Sequence, residues 1–295
     1  MPASRFFAKV GGFRYRERPL PQNPLAARRP EAPALLVQLT DSHLMEDPEA
    51  LMLGVNTDAS LRAVLDLARR QEARPDLMLL TGDLSQDGSP AAYQRLRAHL
   101  RDAAHPVRCL PGNHDAPEVL RQELGDWVRP VHDLPGWRVI MLDSTVPSQD
   151  LGRIGPAQFD VLDQALRDAG ERHVLVALHH NLARVDGNWH DPMMVDNAAA
   201  VFARLSGHPR ARIALWGHIH QEFDCRHHHL RMLGTPSTCF QFMLKDGRHA
   251  IDPRAPGYRW IKLYADGSIA TGVRRLDAGT WAELRGQAAP QARAA

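Results

Sequence analysis

Val107-Arg108-Cys109-Leu110-Pro111-Gly112-Asn113-His114-Asp115 is the stretch that decides the fold. A short apolar run reads as a buried strand, and it stops at once on glycine, amide, imidazole and carboxylate groups. The same grammar recurs along the chain. Ala34 to Thr40 ends at Asp41-Ser42-His43, and Leu77 to Leu80 ends at Gly82-Asp83. Val174 to Leu178 ends at His179, and Ile213 to Trp216 ends at Gly217-His218-Ile219-His220. Trp137 to Leu142 ends at Asp143, which reads as structural. Between strands, Thr57 is predicted to cap a helix through Arg70, with Leu61, Val64, Leu65 and Ala68 on one face. A second helix is predicted over Pro90 to Ala103, and the chain closes in a hairpin of Trp260 to Tyr264 and Ser268 to Val273, turning at Ala265-Asp266-Gly267. Alternating strands and helices give an α/β fold, whose ligands gather at the carboxyl ends of strands.

The 295 residues are enough to bury about three-quarters of the unfolded surface without disulfides. Apolar residues at 44% and charged residues at 24% exclude a disordered chain, and no apolar run reaches membrane-spanning length. The formal charge of +2, with no long block of one sign, gives no reason to expect a nucleic-acid partner. Only Lys9, Lys245 and Lys262 are lysines among 36 basic residues, so 33 are arginines, which reads as codon bias. Three cysteines with no Cys-x-x-Cys pair fit a reducing compartment. No apolar stretch follows Arg5, Arg14, Arg16 and Arg18 as in a secretory signal, so the expected location is the cytoplasm. Residues 1–33, rich in proline and arginine, are expected to be an extended arm, 34–276 one domain, and 277–295 a frayed tail. The oligomeric state stays open.

Asp41 and His43 are two apart, as are His218 and His220. In extended backbone such pairs share a face, so each can enter one cavity. Gly82, Gly112 and Gly217 allow sharp turns where those groups are presented. The donors form a mixed oxygen and nitrogen set, suited to Mn, Fe or Zn rather than Mg or Ca. Seven ligands exceed what one tetrahedral ion needs, and two ions sharing a carboxylate use them all.

The five blocks, together with Leu53-Gly54-Val55-Asn56-Thr57, Gly82 to Asp87 and Thr235-Pro236-Ser237-Thr238-Cys239, resemble the calcineurin-like metallophosphoesterase superfamily. Within it they are most similar to the bacterial class III 3′,5′-cyclic-AMP phosphodiesterases, from about residue 34 to 276. The resemblance implies a four-layer α-β-β-α sandwich with two divalent or mixed-valence transition metal ions. Asp41, His43, Asp83 and His220 would hold one ion; Asp83, Asn113, His179 and His218 would hold the other. His43, Asp83, Asn113, His114, His179 and His220 would surround the substrate phosphate. The implied reaction opens a small-molecule cyclic nucleotide, 3′,5′-cyclic AMP, to 5′-AMP by attack of a bridging hydroxide, with His114 protonating the departing O3′. Two dications, less two aspartates and a hydroxide, leave a site near +1 that welcomes a phosphodiester.

A cationic site pushes a histidine toward its neutral form, so a carboxylate is expected beside His114, with Asp115 and Asp87 as candidates. The family's proline after the fourth block is missing here, where His179-His180-Asn181 stands. The path of the loop from Asn181 to Asn197, expected to form a rim of the pocket, is therefore where base selectivity can differ; His180 and His190 are intermediate, since either could line that rim. His227-His228-His229 reads as a solvated hairpin tip, and His99, His105, His132, His173, His208 and His249 as surface or loop residues. Two alternatives remain beside cyclic-AMP hydrolysis. One is an esterase of the same fold acting on 2′,3′-cyclic nucleotides, glycerophosphodiesters or phosphomonoesters; the other is a non-catalytic scaffold.

Overall fold

Leu77, Leu79 and Met78, Leu80 belong to one strand yet enter different cores, and that alternation sets the architecture. The computed structural model describes residues 9–10, 13–14, 32–72, 74–103, 105–185, 191–246 and 248–286. One sheet runs in the order Ile269–Arg275, Gly257–Leu263, Ala34–Leu39, Leu77–Thr81, Val107–Leu110, with the last three parallel. The other runs Phe223–His227, Leu230–Gly234, Ala211–Trp216, His173–Ala177, Trp137–Met141, Val131–Leu134, with four parallel strands at its centre.

Leu36, Leu77, Leu79, Val139, Leu175, Ile213 and Leu215 fill the space between the sheets. The outer face of the five-stranded sheet packs on helices Thr57–Gln71, Pro90–His99 and Pro117–Leu124 through Leu61, Val64, Leu65, Tyr93, Leu96 and Leu120. The outer face of the six-stranded sheet packs on Pro156–Arg167 and Ala198–Gly207 through Leu162, Ala165, Val201, Phe202 and Leu205. This is the α-β-β-α sandwich. Strands covered on both faces read as unbroken apolar runs, which is why they stood out in the sequence. No helix among the described residues is long and apolar enough to cross a membrane.

Several details depart from expectation. Asn56, not Thr57, caps the first helix, its Oδ1 accepting from Ala59 N at 2.8 Å. Thr57 instead donates its hydroxyl to His43 O at 2.9 Å. The second helix stops at His99, where Leu100 N turns back to Arg97 O and the His99 ring meets Asp58 at 2.8 Å. Of the expected tail over 277–295, residues 287–295 lie outside the described residues, and residues 278–286 are not a frayed end. They form a helix, because Trp281 buries against Val55, Phe240 and Phe242 and Asp277 accepts from Thr280 N at 2.9 Å. Of residues 1–33, Lys9–Val10 pairs with Phe13–Arg14, and apart from residues 32 and 33 the rest of the arm lies outside the described residues.

Replacing Asn56 by Ala leaves the helix without its side-chain cap. The expected loss is about 1 kcal/mol of stability, read as a lower urea midpoint at unchanged slope.

Candidate metal centre

Three imidazoles share one local design. His43 Nδ1 lies 2.8 Å from Gln86 Oε1, His179 Nδ1 lies 2.9 Å from Thr81 O, and His220 Nδ1 lies 2.8 Å from Phe240 O. Each Nδ1 therefore carries the proton it donates to an oxygen, and the Nε2 of each ring, the atom left to bind a cation, turns the other way. Those atoms converge. His43 Nε2 and His220 Nε2 are 3.2 Å apart, and His220 Nε2 is 3.4 Å from Asp41 Oδ1. His179 Nε2 is 3.3 Å from Asp83 Oδ2 and 3.1 Å from Asn113 Oδ1, while His43 Nε2 is 3.7 Å from the same Asp83 oxygen. Acceptors aimed at acceptors repel unless a cation or a proton stands among them. The donor set thus fits metal ions, and the groups Asp41-His43-His220 and Asp41-Asp83-His179 each offer ligand atoms within 4.8 Å of one another.

The backbone is bent to achieve this. Asp41, His43, Asp83, His218 and His220 all have positive φ, between 45° and 62°, a region that L-residues rarely occupy. Such strain clusters at functional sites and persists because the surroundings over-determine it. His218 N donates to both Asp41 oxygens at 3.1 Å, and His114 N donates to Asp83 Oδ1 at 3.0 Å. Two glycines admit the crowding. A Cβ on Gly82, at φ 90°, would lie 2.5 Å from His179 Nδ1; one on Gly217 would fall on Thr40 Oγ1 and within 2.8 Å of Asp41 Oδ2.

Electrostatics follow from burial and proximity. Burial opposes ionisation of Asp41 and Asp83, but the facing imidazoles, His220 for the first and His179 for the second, hold both below the usual carboxylate range. Burial lowers His43 to about 4, which keeps it neutral. Burial also works against a charge on His179, yet Asp83 pushes it up to about 9. Without a cation, a proton on Nε2 would take the place that a metal takes.

All eight positions singled out in the sequence come together at the carboxyl edges of the two sheets, seven of them buried or half-buried and the His114 ring exposed above them. The expected carboxylate partner of His114 is corrected. Asp115 accepts from Leu84 N, Ser85 N, Gly112 N and Tyr93 Oη, all between 2.9 and 3.1 Å, so it organises the loop. Asp87 accepts from Glu46 N, Ser89 N and Ser85 Oγ. The carboxylate grouped with His114 is Asp83 itself.

His180 does not line the rim. It is fully buried, its Nδ1 2.8 Å from Ser144 Oγ and its ring 4.9 Å from His179 and 4.7 Å from His218. His190 lies outside the described residues. In place of the family's proline, Asn181 donates its amide to Ala183 O at 2.9 Å and accepts at its backbone oxygen from Val195 N. Val195 in turn pairs with Gly152, so the described ends of the loop are held together without proline; residues 186–190 lie outside the described residues. Asp143 is structural as expected, closing on Thr145 N and Oγ1. His228 and His229 form a hairpin turn as expected, but His173 is buried in a strand against Trp137 rather than on the surface. The outer partners Thr81 O and Phe240 O carried no side-chain signal, whereas Gln86 sits in a quoted block.

The family model for calcineurin-like phosphoesterases matches residues 35–222. This chain belongs to that family. The phosphoesterase is 43% identical over 249 residues to the 3′,5′-cyclic adenosine monophosphate phosphodiesterase CpdA of Pseudomonas aeruginosa, covering 84% of this chain and 92% of that one. It is 38% identical over 250 residues to the CpdA of Escherichia coli K12, covering 83% and 91%. A dimetal phosphatase from Danio rerio shares the fold at 15% identity and a TM-score of 0.55, over 82% of this chain and 99% of that one. Calcineurin-like phosphoesterases are metal-dependent hydrolases, and the groups above have room for two ions.

Gly217→Ala forces Thr40 and Asp41 apart. Elemental analysis of the purified variant is expected to return at most half the wild-type metal per chain.

Proposed function

We propose that this phosphoesterase hydrolyses 3′,5′-cyclic AMP to 5′-AMP at a two-metal site. The observation that carries the reading is the convergence of Nε2 lone pairs and two carboxylates on one sheet edge, in a chain 43% identical to a cyclic-AMP phosphodiesterase over most of its length. Asp41, His43, Asp83 and His220 would hold one ion; Asp83, Asn113, His179 and His218 would hold the other, with Asp83 shared. The mixed nitrogen and oxygen donors favour Mn, Fe or Zn. When bound, such ions acidify water and offset negative charge at phosphorus.

The chain's own groups do the rest. Gln86, Thr81 and Phe240 fix which imidazole nitrogen would face the ions, so the rings need no reorganisation on binding. His114 N ties its loop to the shared Asp83, while its ring stands free in solvent 5.1 Å from the His43 ring. From there His114 would give its proton to the departing O3′ oxygen, with the Asp83 carboxylate grouped beside it. Free Cys109, Cys225 and Cys239 suit the reducing cytoplasm, where a cyclic-nucleotide messenger is found.

His114→Ala is expected to retain both metals by elemental analysis and to lose about 10²–10⁴-fold in kcat. Metal loss in that variant, or a near-normal kcat, removes His114 from the role. The substrate assignment is tested by kcat/KM on 3′,5′-cAMP, 3′,5′-cGMP and 2′,3′-cAMP with Mn supplied. Cyclic AMP is expected to lead. A strong preference for a noncyclic ester, or no esterase activity with Mn or Fe, refutes the assignment.

A further inference from the structure

Thr235-Pro236-Ser237-Thr238-Cys239-Phe240 supplies no proposed metal ligand, yet three ligands of one proposed ion rest on it. Ser237 Oγ donates to Asp41 O at 2.8 Å, and Cys239 Sγ donates to the same oxygen at 3.2 Å. Cys239 N donates to Ser237 Oγ at 2.9 Å, and Ser237 Oγ lies 3.1 Å from Cys239 Sγ, so the two side chains meet at the Asp41 carbonyl. Phe240 O fixes the His220 ring through Nδ1, and the Phe240 ring stacks on His43 with centroids 5.9 Å apart and planes 19° apart. The segment is itself anchored. Thr238 N donates to Thr40 O at 3.1 Å, and Ser60 Oγ donates to Thr238 O at 2.7 Å. Ser237, Thr238 and Cys239 are wholly buried and Phe240 is 1% exposed.

Asp41 is one of the residues that need such support. Its φ of 53° is unfavourable for a residue with a Cβ, so the turn that aims its carboxylate holds only while neighbours select it. Two donors on one carbonyl do that from behind the metal-facing side. His179, on the other side of the site, takes its support from Thr81 O instead.

We propose that Ser237, assisted by Cys239, is a positioning residue for Asp41, and that it sets the affinity of the ion which Asp41, His43 and His220 would share. The inference rests on the two-metal reading above. It implies an asymmetric weakening: loss of the Ser237 hydroxyl loosens one ion and spares the one held by Asn113, His179 and His218.

The test titrates stripped full-length protein with Mn(II) alone under chelator competition. Wild type is expected to bind two ions per chain. Ser237→Ala is expected to weaken one ion about 10–100-fold, the range for removing an outer partner of a ligand, and to leave the other within about threefold. Its metal-free melting temperature is expected to fall modestly, because the buried Cys239 N–H loses its acceptor, and saturating Mn is expected to restore kcat with KM unchanged. Cys239→Ala removes only the weaker donor and is expected to cost about 2–10-fold on the same ion; Cys239→Ser keeps a donor and is expected to cost nothing. Two ions bound at wild-type affinity by Ser237→Ala overturn the inference while sparing the two-metal reading. So does equal weakening of both ions. Wild-type protein that binds fewer than two ions overturns the two-metal reading, and the inference with it.

Discussion

Acceptor groups that face one another across about 3 Å are the constraint on which the molecule turns. Left alone, the imidazole lone pairs and the Asp41 and Asp83 carboxylates would push their loops apart. The fold resists this by taking each loop from a different strand end of two sheets packed through one apolar layer. It adds donors behind the ligands: His218 N on Asp41, His114 N on Asp83, and four donors on Asp115 to stiffen the loop between them. The positive φ values at five candidate ligand positions are the local cost of this arrangement, offset by the surrounding packing.

Much of this was legible in the sequence. The central strands are covered on both faces, so their apolar runs announced themselves, and the polar residue after each run marked the sheet edge. The helices over Pro117–Leu124, Pro156–Arg167 and Ala198–Gly207 were less visible, because Ala116, Gly155 and Asn197 give no side-chain cap bond at their starts. Trp281 in the last helix packs on residues more than two hundred positions earlier, such as Val55, a contact that no local window contains. The eight site residues were readable as side chains. Their supports were not, since Thr81 and Phe240 act through backbone oxygens that any residue could supply.

Asp115 and His180 show where proximity in sequence misleads. Asp115 adjoins His114, yet its carboxylate points into the protein and serves main-chain amides. His180 adjoins His179, yet it turns toward Ser144 and wedges behind the imidazoles of His179 and His218. In a bent loop successive side chains part company, and only the backbone geometry says which one enters the cleft.

The Ala34–Leu39 strand, which delivers Asp41 and His43, lies between Leu77–Thr81 and Gly257–Leu263. Its partner on one side is thus encoded more than two hundred residues downstream. As the polypeptide leaves the ribosome, the earliest ligands are exposed long before the strand that completes their sheet has been translated. Assembly of the candidate metal site is thereby deferred to the close of synthesis.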